Sequence, residues 1–393
     1  MPWKARSLQA AKVEFVQQLR RGPDSFSALC ARFHISRQTG YKWRRRYRAR
    51  GWAGLRERSR RPRRLARAKA PRWHARVRRL HCMHPRFGPK KLRGLLARRW
   101  GRRGLPAVRT LARWGRQWGW SVPRRPRRRR GPVRPWPGLR PPRQANDVWT
   151  VDFKGWFRTG DGTRVEPLTV RDLKSRCILA WALLPDPGAA RVRRVLRRLF
   201  RQHGLPRRIR TDNGRPFGGR PGAAGLTRLS VWWLRLGIAV EFIRPGRPGD
   251  NGAHERMHRD YVAECLQPAA ATPPAQARRT RRFVRHYNHQ RPHEALGQRL
   301  PAEGYRPSPR PCPRRLPAWS YPAAVAVRRV RPNGKLRWQG RWRFIGEAFA
   351  GERLGLRPQA PGNHSVWLGP HLLGELHDAD PGGLRPLRHS YPT

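Results

Sequence analysis

Three acidic residues stand out by where they fall in the chain. Asp152 interrupts the β-rich run Val148-Trp149-Thr150-Val151-Asp152-Phe153. Asp212 closes the run Ile209-Arg210-Thr211-Asp212, just before Asn213-Gly214. Glu255 falls in the first turn of a helix expected to open at Gly249-Asp250-Asn251-Gly252. A carboxylate inside an apolar strand is costly to desolvate unless it is paired. If the strands of Asp152 and Asp212 are neighbours, their acids lie side by side, and the helix brings Glu255 to the same edge. Three carboxylates at one point repel one another, and divalent cations relieve that repulsion. Hard oxygen ligands suit Mg²⁺ or Mn²⁺. Two such ions activate an attacking water or 3′-hydroxyl and stabilise the leaving oxygen of an in-line displacement at phosphorus. Taken singly, each acid has an ordinary reading: an edge-strand residue, a turn former, and a helix N-terminal acid favoured by the dipole. Their joint placement points to metal-dependent phosphodiester chemistry.

The elements that must hold these acids read in the order β-β-β-α-β-α-β-α. Strands are expected at 148–153, 165–170, 177–184, 207–211 and 238–243, with helices at 189–203, 226–236 and 253–265. Val192, Val195, Leu196 and Leu199 share one helical face. A Pro-rich break at 268–274 precedes a long helix over 275–291. Asn213 and Gly214 are expected to shape the loop around Asp212, and Asn251 and Gly252 to cap the helix of Glu255. Asp172 reads as a structural turn residue, Trp232-Trp233 as core, and Glu294 as the partner of a neighbouring Arg. His258 and Arg259, one turn beyond Glu255, are candidate DNA contacts.

Upstream, residues 8–50 read as three short helices. Phe26, Leu29, Cys30 and Phe33 fall on one face; after a break at His34-Ile35, Ser36 caps a basic helix. This is helix–turn–helix spacing, with Arg37, Gln38, Thr39, Tyr41, Lys42, Arg44 and Arg45 offered to a major groove. We assign residues 1–53 to this domain and 54–70 to an Arg/Pro-rich linker. Residues 71–122 form a second helical, helix–turn–helix-like domain whose reading helix carries Thr110 and Arg113. Residues 123–145 are a basic, Pro-punctuated tether. Beyond a second Pro/Arg linker, short apolar strands alternate with turns over 320–380, with Asn333-Gly334 as a hairpin signal, and a small β-barrel is expected.

The composition limits the partners. The formal net charge is +68, and half of the 90 Lys and Arg lie in the first 145 residues against three of the 22 acids. Only nine of the 90 are Lys, and with abundant Trp, Pro and Gly this is the mark of GC-rich codons, so part of the excess is compositional. A polyanion is still the expected partner, because each neutralised phosphate releases a counterion. The five cysteines form no C-x-x-C pair, which argues against a disulfide framework or a Cys-based zinc site. His81, Cys82 and His84 lack a second ligand pair at zinc spacing. No apolar run reaches membrane-spanning length, so no membrane partner is expected and the chain is expected in the cytoplasm, on the nucleoid.

Four stretches carry a family resemblance: 148–154, 211–217, 245–258 and 287–297. Together they resemble the integrase-type (retroviral integrase superfamily) DDE transposases of bacterial insertion sequences. The resemblance implies a multi-domain fold: an N-terminal all-α helix–turn–helix region, a central α/β RNase H-like core over 146–305, and a C-terminal all-β SH3-like barrel. It implies that Asp152, Asp212 and Glu255 are the catalytic acids and hold two Mg²⁺ or Mn²⁺ ions. It also implies binding of double-stranded DNA at the element's terminal inverted repeats, cleavage there, and joining of the 3′-OH to target DNA. A homo-oligomer on DNA, no ATP and no covalent protein–DNA intermediate go with that activity. The interval from Asp212 to Glu255 exceeds the usual family spacing, and we assign the surplus to the Gly/Pro-rich loop 218–225. The alternative is a catalytically silent DNA-binding regulator derived from a transposase; the intact acid triad argues against it.

Overall fold

The computed structural model describes residues 7–22, 24–57, 71–120, 139–219, 225–244, 251–380 and 382–386. Most of the expected tether, part of the loop 218–225, most of the linker 54–70 and residues 245–250 lie outside them. The chain divides into two compact units, Met1–Ala70 and Pro71–Thr393.

The first unit contains α1 (Leu8–Arg21), α2 (Phe26–Arg32) and α3 (Arg37–Arg50). Each opens on a serine whose hydroxyl accepts a backbone N–H: Ser7 from Ala10, Ser25 from Ala28, and Ser36 from Thr39. Such caps satisfy donors that the first helical turn leaves unpaired. Phe15, Val16, Leu29, Cys30, Ile35, Trp43 and Leu55 close the core. Leu55 comes from a 3₁₀ turn, Gly51–Leu55, in a region read from sequence as running into the linker. A single apolar residue in an Arg-rich stretch has no periodicity to betray its burial.

The second unit begins with α4 (Pro71–Met83), α5 (Pro89–Trp100) and α6 (Val108–Gln117) around Val77, Leu80, Phe87, Leu96, Leu111 and Trp114. These helices are joined to the α/β core by polar contacts. His84 Nδ1 lies 3.0 Å from His286 Nε2, and Arg98 pairs with Glu303. Glu294 pairs with Lys90, not with the neighbouring Arg expected from sequence.

The core sheet contains β1 (Val148–Phe153), β2 (Phe157–Arg158), β3 (Arg164–Asp172), β4 (Ile178–Leu184), β5 (Arg208–Thr211) and β6 (Ala239–Phe242). β3 pairs antiparallel with β1, β4 and the short β2; β1–β5 and β5–β6 are parallel. The sheet core therefore runs β4-β3-β1-β5-β6, an RNase H-like order. One face packs on α7 (Ala189–His203) and α8 (Arg228–Arg235) through Trp149, Val151, Val192, Leu196, Phe200 and Trp233. Trp232 and Trp233 are both buried there. On the other side α9 (Gly252–Cys265) and α10 (Pro273–His289) share Met257, Tyr261, Phe283 and Tyr287 with Ile178 of β4. Asp172 ends β3 rather than lying in the turn beyond it. It is fully buried and accepts from Asn146 N, Ser175 N and Ser175 Oγ.

The C-terminal strands are all antiparallel. β7 (Ala326–Arg329), β10 (Arg353–Ala360), β11 (Asn363–Leu368), β12 (His371–His377) and β13 (Arg385–Pro386) form one sheet, and β8 (Lys335–Trp338) with β9 (Arg341–Phe344) a hairpin. The hairpin turns at Gln339-Gly340, both left-handed (φ 46° and 75°), whereas Asn333-Gly334 turns the chain from β7 into β8. This unit is docked on α8: Arg235 pairs with Glu352 at 2.6 Å, and Arg228 Nε donates to Glu347 O.

Gly40 shows how tightly the N-terminal unit is packed. A Cβ there would meet Cys30 Sγ at 2.6 Å and the Phe26 and Phe15 rings at 3.1 and 3.2 Å. Gly40→Leu should therefore destabilise this unit by about 1–3 kcal/mol, read as early loss of helical signal on heating the full chain. An unchanged melting profile would refute that packing.

Candidate active site

The strand register explains how two acids separated by a helix in sequence become neighbours. β1 and β5 pair as Val148↔Arg208, Trp149↔Ile209 and Thr150↔Arg210. Continuing this parallel register by two residues sets Asp152 opposite Asp212, just past the end of β5. Side chains alternate along a strand, so Trp149 and Val151 enter the α7/α8 core while Thr150 and Asp152 face the other way. On β3, Thr169 is paired with Asp152 and Arg171 with Thr150, on that same face.

Helix α9 is fastened to this polar face. His254, fully buried, places Nδ1 2.9 Å from Thr150 Oγ1 and Nε2 2.6 Å from Thr169 Oγ1. One turn on, His258 Nε2 lies 2.9 Å from the same Thr169 hydroxyl. Thr169 Oγ1 has one proton and donates it to Asp152 O at 2.9 Å. Arg171 Nη1 donates to Ala253 O at 2.8 Å. Asn251, expected to cap α9, makes no side-chain cap bond; its Nδ2 donates to Asp152 Oδ2 at 2.9 Å. Residue 255 is thereby held at the margin of this face, with Glu255 exposed.

The electrostatics gather on Asp152. Burial pushes its carboxyl up to about 7, the charge of Asp212 adds to this, and Glu255 contributes less; the Phe153 N–H and Asn251 oppose the rise. Burial also raises Asp212, against the hydrogen bond donated by Gly214 N. The histidines go the other way. Burial holds His258 down to about 3, helped by the charges of Lys154 and Arg171. His254 is lowered well below its ordinary range by burial, Arg171 and His258.

Among the described residues, the one set of three metal-competent side chains with ligand atoms all within 4.8 Å of one another is Asp152, His254 and His258. A cation among the imidazoles would have to displace the Thr169 hydrogen bonds and face the Arg171 and Lys154 charges. On the carboxylate side the balance reverses: the negative charge of Asp212 and Glu255 already bears on Asp152. Asp212 and Glu255 are not in that set; all three acids are hard oxygen donors, the donor class of Mg²⁺ and Mn²⁺.

The other expected contacts are spread over the chain. Gln38, Thr39, Tyr41, Lys42, Arg44 and Arg45 line one groove of about 840 Å³ on α3, joined by Arg48; Arg37 is exposed outside it. Thr39 Oγ1 is 3.0 Å from the cap Ser36 Oγ, and Tyr41 stacks on Phe26. On α6, Arg113 is exposed and Thr110 half-buried, and on α9 Arg259 is exposed. The His258 ring is turned to Thr169. Sequence reading passed over Thr150, Thr169, Arg171 and His254. The available signal was the two-residue alternation of polar side chains, Thr150 with Asp152 and Thr169 with Arg171.

Residues 142–248 and 236–301 match models of an integrase core domain. Residues 11–63 match a helix–turn–helix domain, and 325–378 the C-terminal domain of the IS481 family of transposases. The chain is 33% identical over 222 residues to the uncharacterised 31.7 kDa protein of insertion element IS407 from Burkholderia multivorans, covering 56% of this chain and 75% of that protein. It is 32% identical over 232 residues to the uncharacterised 39.2 kDa protein of insertion element IS476 from Xanthomonas euvesicatoria, covering 58% and 63%. Among solved structures, the simian T-cell lymphotropic virus intasome aligns at 15% identity and a TM-score of 0.34, over 60% of this chain and 80% of that one. No helix among the described residues is long and apolar enough to cross a membrane.

Asp152 binds its proton more tightly in the folded than in the unfolded chain, where its ordinary value is 3.8. Without divalent cation, the native state should lose stability as the pH rises from 3.8 to about 7. Asp152→Asn should therefore raise the thermal midpoint at pH 8 in chelator, by about 2–4 °C for each kcal/mol relieved. A midpoint that falls instead would remove the electrostatic strain assigned to this face.

Proposed function

Because the chain belongs to the integrase-core transposases of bacterial insertion sequences, we propose that it binds the terminal inverted repeats of its element, cleaves DNA there and joins the freed 3′-OH to target DNA. The observation that carries this reading is the β1–β5 register running Asp152 toward Asp212, with the charges of Asp212 and Glu255 both felt at Asp152.

Asp152, Asp212 and Glu255 are the residues that would hold two Mg²⁺ or Mn²⁺ ions. Bound there, the ions supply Lewis-acid activation of the attacking oxygen and charge neutralisation at the leaving one. The chain's own task is positioning. Asn251 occupies Oδ2 of Asp152 and so limits how that carboxylate rotates. The His254–Thr150–Thr169 bonds hold α9 at a fixed height over β1 and β3, and with it the backbone of Glu255. Arg259, exposed on the same helix, is suited to a phosphate near the cut, and His258 lies one residue before it.

End recognition falls to the helices. The exposed groove of α3 presents Gln38 and Arg44 as base-edge readers and Lys42 and Arg45 as phosphate contacts. Thr110 and Arg113 on α6 form the second reading surface. Synapsis of two ends requires a homo-oligomer on DNA, and the transfer consumes no ATP.

In a strand-cleavage assay with Mg²⁺ and an element end, Asp152→Asn and Asp212→Asn should each lose activity on the order of 10³-fold while retaining end binding. Cleavage at the wild-type rate by either variant would overturn the assignment. In a competition binding assay, Gln38→Ala should lose about 1–3 kcal/mol of discrimination between the element end and random duplex. Unaltered discrimination would move end recognition off α3.

A further inference from the structure

Two adjoining cavities, about 690 and 830 Å³, lie on the outer side of the α7/α8 layer, and both are lined by Arg193, Trp232 and Leu316. One continues along α7 to the Pro-rich segment 307–316, and the other crosses α8 to the C-terminal strands. They make one trough. It lies across the sheet from the carboxylates, because α7 and α8 cover the Trp149 and Val151 face while Asp152 faces α9.

The trough is lined by cations with almost nothing to oppose them. Arg193, Arg197 and Arg201 stand at i, i+4 and i+8 on α7, a ridge of roughly 12 Å along the helix axis. Arg314, Arg329 and Arg331 continue the lining from the far wall. Among the described residues none of these six has a carboxylate partner; the one acid on the wall, Glu352, is taken by Arg235. Arg193 lies over the Trp232 ring at 5.1 Å and Arg331 over Trp342 at 4.4 Å, so two guanidinium planes rest on aromatic faces. The charge of Arg197 bears directly on Arg193 and, after burial, disfavours its protonated form. Like charges arrayed in this way, without counter-charge in the chain, suit a polyanion with regularly spaced charges.

We infer that this trough is a second duplex-DNA site, taking the sugar–phosphate backbone of a segment other than the one presented to Asp152. A ridge of about 12 Å spans roughly three to four base-pair rises along a duplex axis. The inference rests on the proposed function, in which an element end and a target duplex must be held at once by separate surfaces. It deepens that reading by assigning one duplex to the face behind the sheet.

The test compares nonspecific binding of a random-sequence duplex across a KCl series. The variants are R197E/R314E in the trough, R197K/R314K as the conservative pair, and R281E/R282E on α10, where both side chains are exposed. The α10 pair removes the same charge from another surface. The trough reversal should flatten the slope of log K against log salt by about 1.8, the value for two lost phosphate contacts, and weaken low-salt binding roughly tenfold or more. The Lys pair should retain the slope, and the α10 pair should change it by much less. An unchanged slope in R197E/R314E, or an equal loss in R281E/R282E, would overturn the inference, the latter by showing that net charge alone is read. Single-end cleavage on a short oligonucleotide separates this from the catalytic reading: R197E/R314E should cut at the wild-type rate, whereas D152N should bind the random duplex normally and not cut. Thermal midpoints of all variants confirm that they are folded.

Discussion

A carboxylate set into the interior-facing side of a β-strand has to be given partners, and much of the core is organised around that requirement at Asp152. One of its oxygens is held by Asn251, its backbone carbonyl by Thr169, and the same Thr169 hydroxyl ties down two histidines of the covering helix. The result is a polar layer between sheet and helix whose bonds are short and mutually dependent. Neutral imidazoles suit it: burial and the nearby Arg171 both oppose their protonation, so the helix is fastened without adding charge beside the acids. Charge is concentrated instead at the sheet edge, where burial and neighbouring acids make Asp152 a poor place for an unaccompanied negative charge.

The opposite face of the same sheet is governed by different physics. There Trp149, Val151, Phe200 and Trp233 make an apolar layer with α7 and α8, and the stabilisation comes from area removed from water. Because α7 buries only one stripe, its remaining surface is free to be arginine. A single helix therefore serves as core on one side and as a cationic ridge on the other. The docking of the C-terminal strands on α8 extends this ridge into a trough, using one ion pair, Arg235–Glu352, and leaving Arg193, Arg197, Arg201, Arg314, Arg329 and Arg331 without a carboxylate partner among the described residues.

Charge also sets the character of the chain as a whole. With a formal net charge of +68, electrostatic attraction to DNA is long-ranged and sequence-blind. Discrimination must then come from shape and from the few polar side chains placed to read base edges. The groove on α3 mixes Gln38, Thr39 and Tyr41 with its basic residues, and the helix is held by its Ser36 cap and by aromatic packing at Phe15, Phe26 and Trp43.

Much of this was legible in the residue order. The alternation and helical periodicity reveal the β-β-β-α-β-α-β-α order apart from the two-residue strand β2, Ser36 marks the start of the basic N-terminal helix, and the odd position of an acid in the run 148–153 singles out Asp152. These are local properties: they depend on side-chain period and on the desolvation cost of one group, both of which are carried by a short segment. What the tertiary structure decided is pairing. Only the β1–β5 register says that Asp212 runs beside Asp152, and only the docking of α9 turns Asn251 from an expected helix cap into a partner for Asp152 and makes His254 a clamp. The same holds for Glu294, which found Lys90 from a distant helix, and for Leu55, which found a core. A hydrogen bond or ion pair between remote segments depends on a distance that no single segment encodes, so it becomes visible only once the chain has folded back on itself.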